Sequence, residues 1–280
     1  MNVLSVNFEA ADAPERFATS LRETGFAVLR NHPLSQSLID AIYRDWTTFF
    51  ASDDKRAYLF DRQRQDGWFP ADISETAVGQ TQRDIKEFFH VYTWGRIPPA
   101  LRDDALCYHA EATALASRLL QWVEAALPLD LQTGLSEPLS NMIRDSDRSL
   151  LRVLHYPPLC GKEPPGALRA AAHEDINLLT ILPAASAPGL QVRDRQGQWH
   201  DVPVDPGAIV VNVGDMLQEA TGGWLPSTSH RVCNPADAGC NTSRLSLPLF
   251  LHPRGDVVLS ARYTAGSYLD ERLASLGVRS

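Results

Sequence analysis

The chain has 280 residues, of which 44% are hydrophobic and 21% are charged, so it is long and apolar enough to bury a sizeable core. Its formal net charge is −8 and its basic residues do not cluster, which argues against a nucleic-acid-binding surface. The N-terminal segment has no basic stretch followed by a long apolar run, and no stretch is long enough to span a membrane, so we expect a cytoplasmic protein.

The first half of the chain predicts mainly helices. Residues 13–24 and 36–50 have apolar side chains at helical spacing, and residues 25–30 between them are typical of a strand. Residues 103–127 predict one long helix, which Pro128 would end because proline has no amide hydrogen to continue the ladder.

From Leu150 onward the pattern changes to short apolar strands separated by turns. Residues 189–193 and 208–213 are predicted strands, and residues 195–197 form a predicted turn between them. Residues 268–276 predict a closing helix.

This order of elements predicts an α+β fold in one structural domain. Residues 1–147 would form a helix-rich region that packs outside the core. Residues 148–280 would form the core itself, a double-stranded β-helix of the jelly-roll, cupin-like type, closed by the C-terminal helix.

His173 and Asp175 are candidate metal ligands, because residues two apart on a strand point to the same side. Residues 176–182 are apolar and would form a buried strand beside them. His230 follows 57 residues later and needs a fold that returns a distant strand. Two imidazoles and one carboxylate on one face of a metal are typical of non-haem iron oxygenases.

A zinc peptidase helix would need His-Glu-x-x-His, but Asn177 stands four residues after His173, so that motif is absent. A His-x-Asp triplet also occurs by chance as a structural pair. The motif therefore needs support from elsewhere in the chain.

Arg244 and Ser246 supply that support. On a strand both would point to one side, where a guanidinium and a hydroxyl can hold the carboxylate of a small dicarboxylic acid. The alternative is an arginine paired with a surface acid and a serine at a strand edge.

Seven motifs of the chain resemble those of one known family, the isopenicillin N synthase-like Fe(II)/2-oxoglutarate oxygenases. The motifs follow the family's order, and the similarity covers roughly residues 20–270. They lie at 66–70, 84–89, 173–180, 214–215, 221–223, 227–235 and 244–250.

The resemblance implies a role for each candidate. His173, Asp175 and His230 would be the catalytic iron ligands, and Arg244 and Ser246 would bind the distal carboxylate of 2-oxoglutarate. The implied cofactors are Fe(II), 2-oxoglutarate as co-substrate, and O2.

Two aromatic residues have weaker counterparts in the family. Tyr156 matches a tyrosine that helps to hold the co-substrate, although Leu154 stands where plant members often have asparagine. Phe250 matches an aromatic residue at the border of the substrate pocket, and an ordinary core position is the alternative.

The resemblance implies oxidation of a small organic substrate, with hydroxylation as the default and desaturation or ring closure as alternatives. No obligate protein partner is evident. A second hypothesis is an isopenicillin N synthase-type oxidase that uses Fe(II) and O2 without 2-oxoglutarate. That enzyme offers a C-terminal glutamine to iron, whereas this chain has none after Gln218. A third hypothesis is a cupin-like sensor that binds a metal or small acid without turnover.

The remaining polar residues have ordinary interpretations. Lys86 and Glu87 are interpreted as an ion pair or as solvated charges, with substrate contact as the alternative. Substrate selection is expected from residues 62–75 and 221–226, because selective residues lie on variable loops. Five histidines are expected to be structural: His32, His90, His109, His200 and His252.

Overall fold

The structure is a computed structural model, and it describes residues 3–73, 82–202 and 205–275. Within these ranges the α-helices are α1 (Ala13–Thr24), α2 (Gln36–Ala51), α3 (Pro99–Ala126), α4 (Leu129–Gly134), α5 (Leu139–Met142), α6 (Asp215–Ala220) and α7 (Ala265–Ser275). The strands are β1 (Ser5–Asn7), β2 (Phe26–Arg30), β3 (Gly67–Phe69), β4 (Glu87–Val91), β5 (Leu150–Tyr156), β6 (Ala170–His173), β7 (Leu179–Pro183), β8 (Leu190–Arg193), β9 (Trp199–Asp201), β10 (Ile209–Val213), β11 (His230–Val232), β12 (Arg244–Ser246) and β13 (Leu249–Leu251).

Most predicted elements are present at or near their predicted bounds. The prediction of a helix at 103–127 was wrong at its start, since α3 begins at Pro99. Proline suits the first position of a helix because its fixed φ is already helical and its missing amide hydrogen is not needed there. Ser35 caps α2 by accepting a hydrogen bond from the amide of Leu38, at 3.3 Å.

The strands form two sheets. The large sheet has the order β1-β2-β10-β7-β13-β5-β4-β3, and β12 also pairs with β5. The small sheet has the order β6-β11-β8-β9. Strands β1 to β4 lie in the N-terminal region, so residues 1–147 add strands to the large sheet as well as helices.

The helices cover one face of the large sheet. Helix α3 contacts α1, α2 and α5 and also reaches β7 and β13. Trp46, Tyr108 and Phe89 are nearly inaccessible there and belong to the largest apolar cluster. Burial of such aromatic side chains stabilises the fold by roughly 1.5–3 kcal/mol each.

The other face of the large sheet lies against the small sheet. Val28 and Val210 of the large sheet pack against Val192 of the small sheet in one cluster. Tyr156 packs near Ala170 in another. The space between the two sheets is therefore where side chains from distant parts of the chain converge. Among the described residues, no helix combines the length and apolar character that a membrane crossing needs.

Candidate metal centre

His173 and His230 are cross-strand neighbours in the small sheet, where β6 and β11 run antiparallel. Their ring centroids lie 4.4 Å apart. Oδ1 of Asp175 lies 3.9 Å from Nε2 of His173 and 3.7 Å from Nε2 of His230. The three ligand atoms lie within 4.8 Å of one another. Metal–nitrogen and metal–oxygen bonds are about 2 Å long, so such separations suit three atoms that share one ion.

The predicted position of Asp175 on the same strand as His173 was wrong. Strand β6 ends at His173, and Asp175 lies in the connection to β7, which starts at Leu179 rather than at Ile176. Alternation along one strand therefore does not aim the carboxylate toward the imidazoles.

Hydrogen bonds from the large sheet direct the carboxylate of Asp175 toward the imidazoles instead. Oδ2 of Asp175 accepts from Oγ1 of Thr180 at 2.6 Å and from Nδ2 of Asn212 at 2.8 Å. The carbonyl of Asp175 accepts from the amide of Asp215 at 2.7 Å. These bonds leave Oδ1 directed at the two histidines. Sequence reasoning missed Thr180 and Asn212, and their polar side chains within apolar strands were the available signal.

Backbone carbonyls orient both imidazoles. Nδ1 of His173 lies 2.8 Å from the carbonyl of Ala171, and Nδ1 of His230 lies 3.2 Å from the carbonyl of Thr228. A hydrogen on Nδ1 satisfies these contacts, which leaves the lone pair of Nε2 free on each ring. Both lone pairs then face Asp175.

Electrostatics set His173 and Asp175 in their metal-binding protonation states. Desolvation of the His173 ring by the surrounding protein atoms, together with the charge of His230, lowers the pKa of His173 to about 4. Burial alone would raise the pKa of Asp175, but His230, His173 and the donated hydrogen bonds bring it below its ordinary value. At neutral pH the site therefore offers a neutral imidazole at His173 and a carboxylate. The side chain of His173 stays 38% exposed, so one side of the site is open.

Arg244 and Tyr156 define a second part of the site. They pair across β12 and β5, and the guanidinium of Arg244 lies over the Tyr156 ring, 5.0 Å from its centroid. Ser246 is buried and pairs with Leu154, two positions along the same strands. Arg244, Ser246 and Tyr156 therefore occupy one patch between the sheets.

The guanidinium of Arg244 is suited to an anion from outside the chain. Arg244 is 1% exposed, and its Nε donates to the carbonyl of Ala187 at 2.9 Å. Its Nη1 is buried without a hydrogen-bond partner, and Arg244 forms no ion pair with any described residue. The alternative of an arginine paired with a surface acid was therefore wrong. Burial of such a cation is unfavourable in free energy unless an anion accompanies it. A carboxylate can accept a hydrogen bond from the free Nη1 of Arg244.

Phe250 of β13 lies on the side of the large sheet that carries this site, and His252 follows directly after the strand. Phe250 pairs with Thr180, the residue that holds Asp175, and it is partly exposed. Burial lowers the pKa of His252 to about 4, and the charge of Asp175 opposes that shift, so His252 lies within the field of the metal ligand. The expectation that His252 has a structural role stays a prediction.

Lys86 and Glu87 do not pair with each other. Nζ of Lys86 lies 2.8 Å from Asp84, and Nζ of Lys55 lies 3.0 Å from Glu87. The charge of Lys86 helps to lower the pKa of His173, so Lys86 is on the side of the metal ligands. Residues 74 and 75 of the predicted substrate-selecting segment lie outside the described residues.

Comparisons with known proteins agree with this site. The model of the 2OG-Fe(II) oxygenase superfamily matches residues 148–253, and the model described as non-haem dioxygenase in morphine synthesis N-terminal matches residues 5–109. A crystal structure from Shewanella oneidensis, described as that of an oxygenase, is 53% identical, covers 100% of both chains and has a TM-score of 0.90. A 2OG-Fe(II) oxygenase family protein of Caulobacter crescentus is 31% identical over 97% of this chain and 98% of its own, with a TM-score of 0.80.

A curated relative extends the comparison to a eukaryote. The 2-oxoglutarate-dependent dioxygenase htyE of Aspergillus rugulosus is 29% identical over 294 residues, which cover 90% of this chain and 87% of the relative. The chain belongs to the 2OG-Fe(II) oxygenase superfamily, as the resemblance of its motifs indicated. It is an oxidoreductase, a dioxygenase that depends on Fe(II) and 2-oxoglutarate.

Proposed function

We propose that this dioxygenase binds its iron through His173, Asp175 and His230 and oxidises a C–H bond of a small organic molecule between the two sheets. The observation that carries the proposal is the convergence of three ligand atoms within 4.8 Å, from two strands and one connection. Two nitrogens, one carboxylate oxygen and an open side match the ligand set of non-haem Fe(II) oxygenases. The two facing sheets support a double-stranded β-helix as the core.

When bound, iron, 2-oxoglutarate and O2 supply the oxidising chemistry, with release of succinate and carbon dioxide. The residues of the chain bind and orient the reactants. The free guanidinium nitrogen of Arg244 donates to the distal carboxylate of the co-substrate. Ser246 and Tyr156 border the same carboxylate, because they lie on the same strand pair.

Asp175 and its partners keep the metal site in one arrangement. The hydrogen bonds from Thr180 and Asn212 fix the carboxylate of Asp175, so the site is formed before the metal binds. The apolar side chains around it, among them Phe26 at 5.5 Å from the ring of His230, limit the access of water.

Hydroxylation is the reaction that we propose. Phe250 borders the substrate, since it shares a face with Thr180 and remains partly exposed. The substrate is a small molecule rather than a nucleic acid or a membrane component, and the net charge of −8 supports that choice. We propose a cytoplasmic location for this dioxygenase.

A direct test measures succinate release and O2 consumption by the Fe(II) protein during a screen of small molecules. We expect slow succinate release without substrate and faster, stoichiometric release with a suitable substrate. O2 consumption that needs a substrate but not 2-oxoglutarate would instead support the oxidase hypothesis. The absence of succinate under every condition, with iron bound, would support the sensor hypothesis.

A further inference from the structure

Arg169 is a second buried arginine close to Arg244. It lies one residue before β6 and is 1% exposed. Its Nη2 donates to the carbonyl of Thr242 at 2.6 Å, and its amide donates to Oδ1 of Asn234 at 3.0 Å. Its Nε is buried and has no hydrogen-bond partner. Arg169 therefore has a free donor, as Arg244 does.

Three observations place Arg169 beside the patch that Arg244 and Tyr156 form. The carbonyl that accepts from Arg169 belongs to Thr242, two residues before Arg244. Ala170, the next residue after Arg169, belongs to the apolar cluster of Tyr156. Burial lowers the pKa of Arg169, the charge of Arg244 lowers it further, and Tyr156 acts in the opposite direction.

No described acidic residue neutralises either cation. Arg169 and Arg244 form no ion pair with any part of the chain that the structure describes, and both are 1% exposed. Burial of two guanidinium groups that repel each other is unfavourable in free energy unless an anion lies between them. A carboxylate has about four lone-pair positions on its two oxygens, so it can accept from both groups at once.

We propose that Arg169 is a second binding residue for the distal carboxylate of 2-oxoglutarate, opposite Arg244. The proposal rests on the proposed function, because it assigns the co-substrate to this patch. Arg244 lies on β12 of the large sheet, whereas Arg169 precedes β6 of the small sheet. The co-substrate carboxylate thus joins the two sheets and positions the opposite, keto acid end at the metal.

The experiment compares Arg169→Gln and Arg169→Lys with the unchanged protein, all loaded with Mn(II) and kept anaerobic. Calorimetric titration gives the Kd of 2-oxoglutarate and of pyruvate, a 2-oxo acid that lacks the distal carboxylate. We expect Arg169→Gln to weaken 2-oxoglutarate about 10- to 100-fold, the usual effect of losing a hydrogen bond between charged groups. Pyruvate should bind as before, and Arg169→Lys should restore part of the 2-oxoglutarate affinity.

Arg231→Gln is the matched control, because Arg231 lies on β11, which pairs with the strand that Arg169 precedes. It lies over the ring of Trp199, 4.1 Å from the centroid, and bonds to Gln191. It should leave both Kd values unchanged. Thermal unfolding of the metal-loaded variants shows whether each one is folded.

Equal losses for 2-oxoglutarate and pyruvate, or no loss in Arg169→Gln, would overturn the proposal and leave the proposed function intact. Equal losses would identify Arg169 as a purely structural residue that holds Thr242. If the unchanged protein bound no 2-oxoglutarate at all, the proposed function itself would fail. A selective loss for 2-oxoglutarate in a folded variant supports the proposal.

Discussion

His173 and His230 lie directly opposite each other in the register of β6 and β11, with their ring centroids 4.4 Å apart. Both imidazoles thus come from the small sheet. The third ligand, Asp175, is held by side chains of the large sheet. The metal centre therefore depends on how the two sheets are placed relative to each other.

Removal of the hydrogen bonds to Asp175 should weaken metal binding while the three ligands remain. Thr180→Val and Asn212→Ala each delete one donor to Oδ2. Such partners of a metal ligand typically contribute 10- to 100-fold in affinity, and we expect a loss of that size for each variant. Competition between the protein and a metal-binding dye measures it. The control is Thr113→Val, because the hydroxyl of Thr113 donates to a helix carbonyl, that of His109, at 2.7 Å. If Thr180→Val and Asn212→Ala lost no more metal affinity than this control, their assigned role in holding Asp175 would be wrong.

Gly214 should tolerate no side chain. A Cβ there would lie 2.2 Å from the carbonyl oxygen of Asn177, in the connection that carries Asp175. Since backbone atoms cannot move aside cheaply, we expect Gly214→Ala to lower the free energy of unfolding by about 1–3 kcal/mol and to weaken metal binding. Gly134→Ala is the control, because nothing lies within 4 Å of its added Cβ. Denaturant unfolding measures both, and equal stabilities for the two variants would show that the contact is harmless.

Arg244→Lys should lose most of the 2-oxoglutarate affinity although it keeps the positive charge. A lysine cannot both bond to Ala187 and present a planar fork to a carboxylate. We expect the Kd of 2-oxoglutarate to rise about 10- to 100-fold, with metal affinity unchanged. Calorimetric titration of the metal-loaded protein with 2-oxoglutarate measures this Kd. Arg193→Lys is the control, because Arg193 is exposed. An unchanged Kd would place the co-substrate elsewhere.

Glu87 should contribute stability that depends on pH. Burial raises its pKa, but hydrogen bonds from His155, Lys55 and Trp68 outweigh burial and hold the pKa below its ordinary value. Because the folded pKa is lower than the unfolded one, this contribution is present above the unfolded pKa of about 4.3 and is lost as pH falls through the folded pKa.

We therefore expect Glu87→Gln to be less stable than the unchanged protein by about 1–3 kcal/mol at pH 7. The difference should shrink below pH 4, measured by urea unfolding across pH. Glu23→Gln, at an exposed position, should show no such difference. If the stability difference between Glu87→Gln and the unchanged protein were the same at every pH, the charge of Glu87 would not contribute to stability.

The sequence predicted elements whose signal is local. The apolar spacing of α1 and α2, the strand between them and the turn at 195–197 depend on neighbouring residues, and they lie close to their predicted bounds. The proximity of His173 to Asp175 was also predicted, but through strand alternation, which does not operate past the end of β6. The actual cause, hydrogen bonds from Thr180 and Asn212, requires the pairing of β7 with β10.

Features that depend on contacts between the sheets could not be predicted from local pattern. Arg169 stands in a stretch of mixed composition, and only the structure brings it to Thr242. The division at residue 147 missed that β4 pairs with β5 and that β2 pairs with β10, because pairing between distant strands leaves no local signal. Residues 276–280, which bear on the oxidase hypothesis, lie outside the described residues.

In our proposal, His173, Asp175 and His230 bind one iron ion beside a pocket for 2-oxoglutarate. The most direct measurement is an anaerobic titration of the Fe(II) protein with 2-oxoglutarate, followed by visible absorption. We predict a saturable metal-to-ligand charge-transfer band in the unchanged protein and none in His230→Ala. If the protein retained iron but showed no band at saturating 2-oxoglutarate, 2-oxoglutarate would not bind at this metal centre.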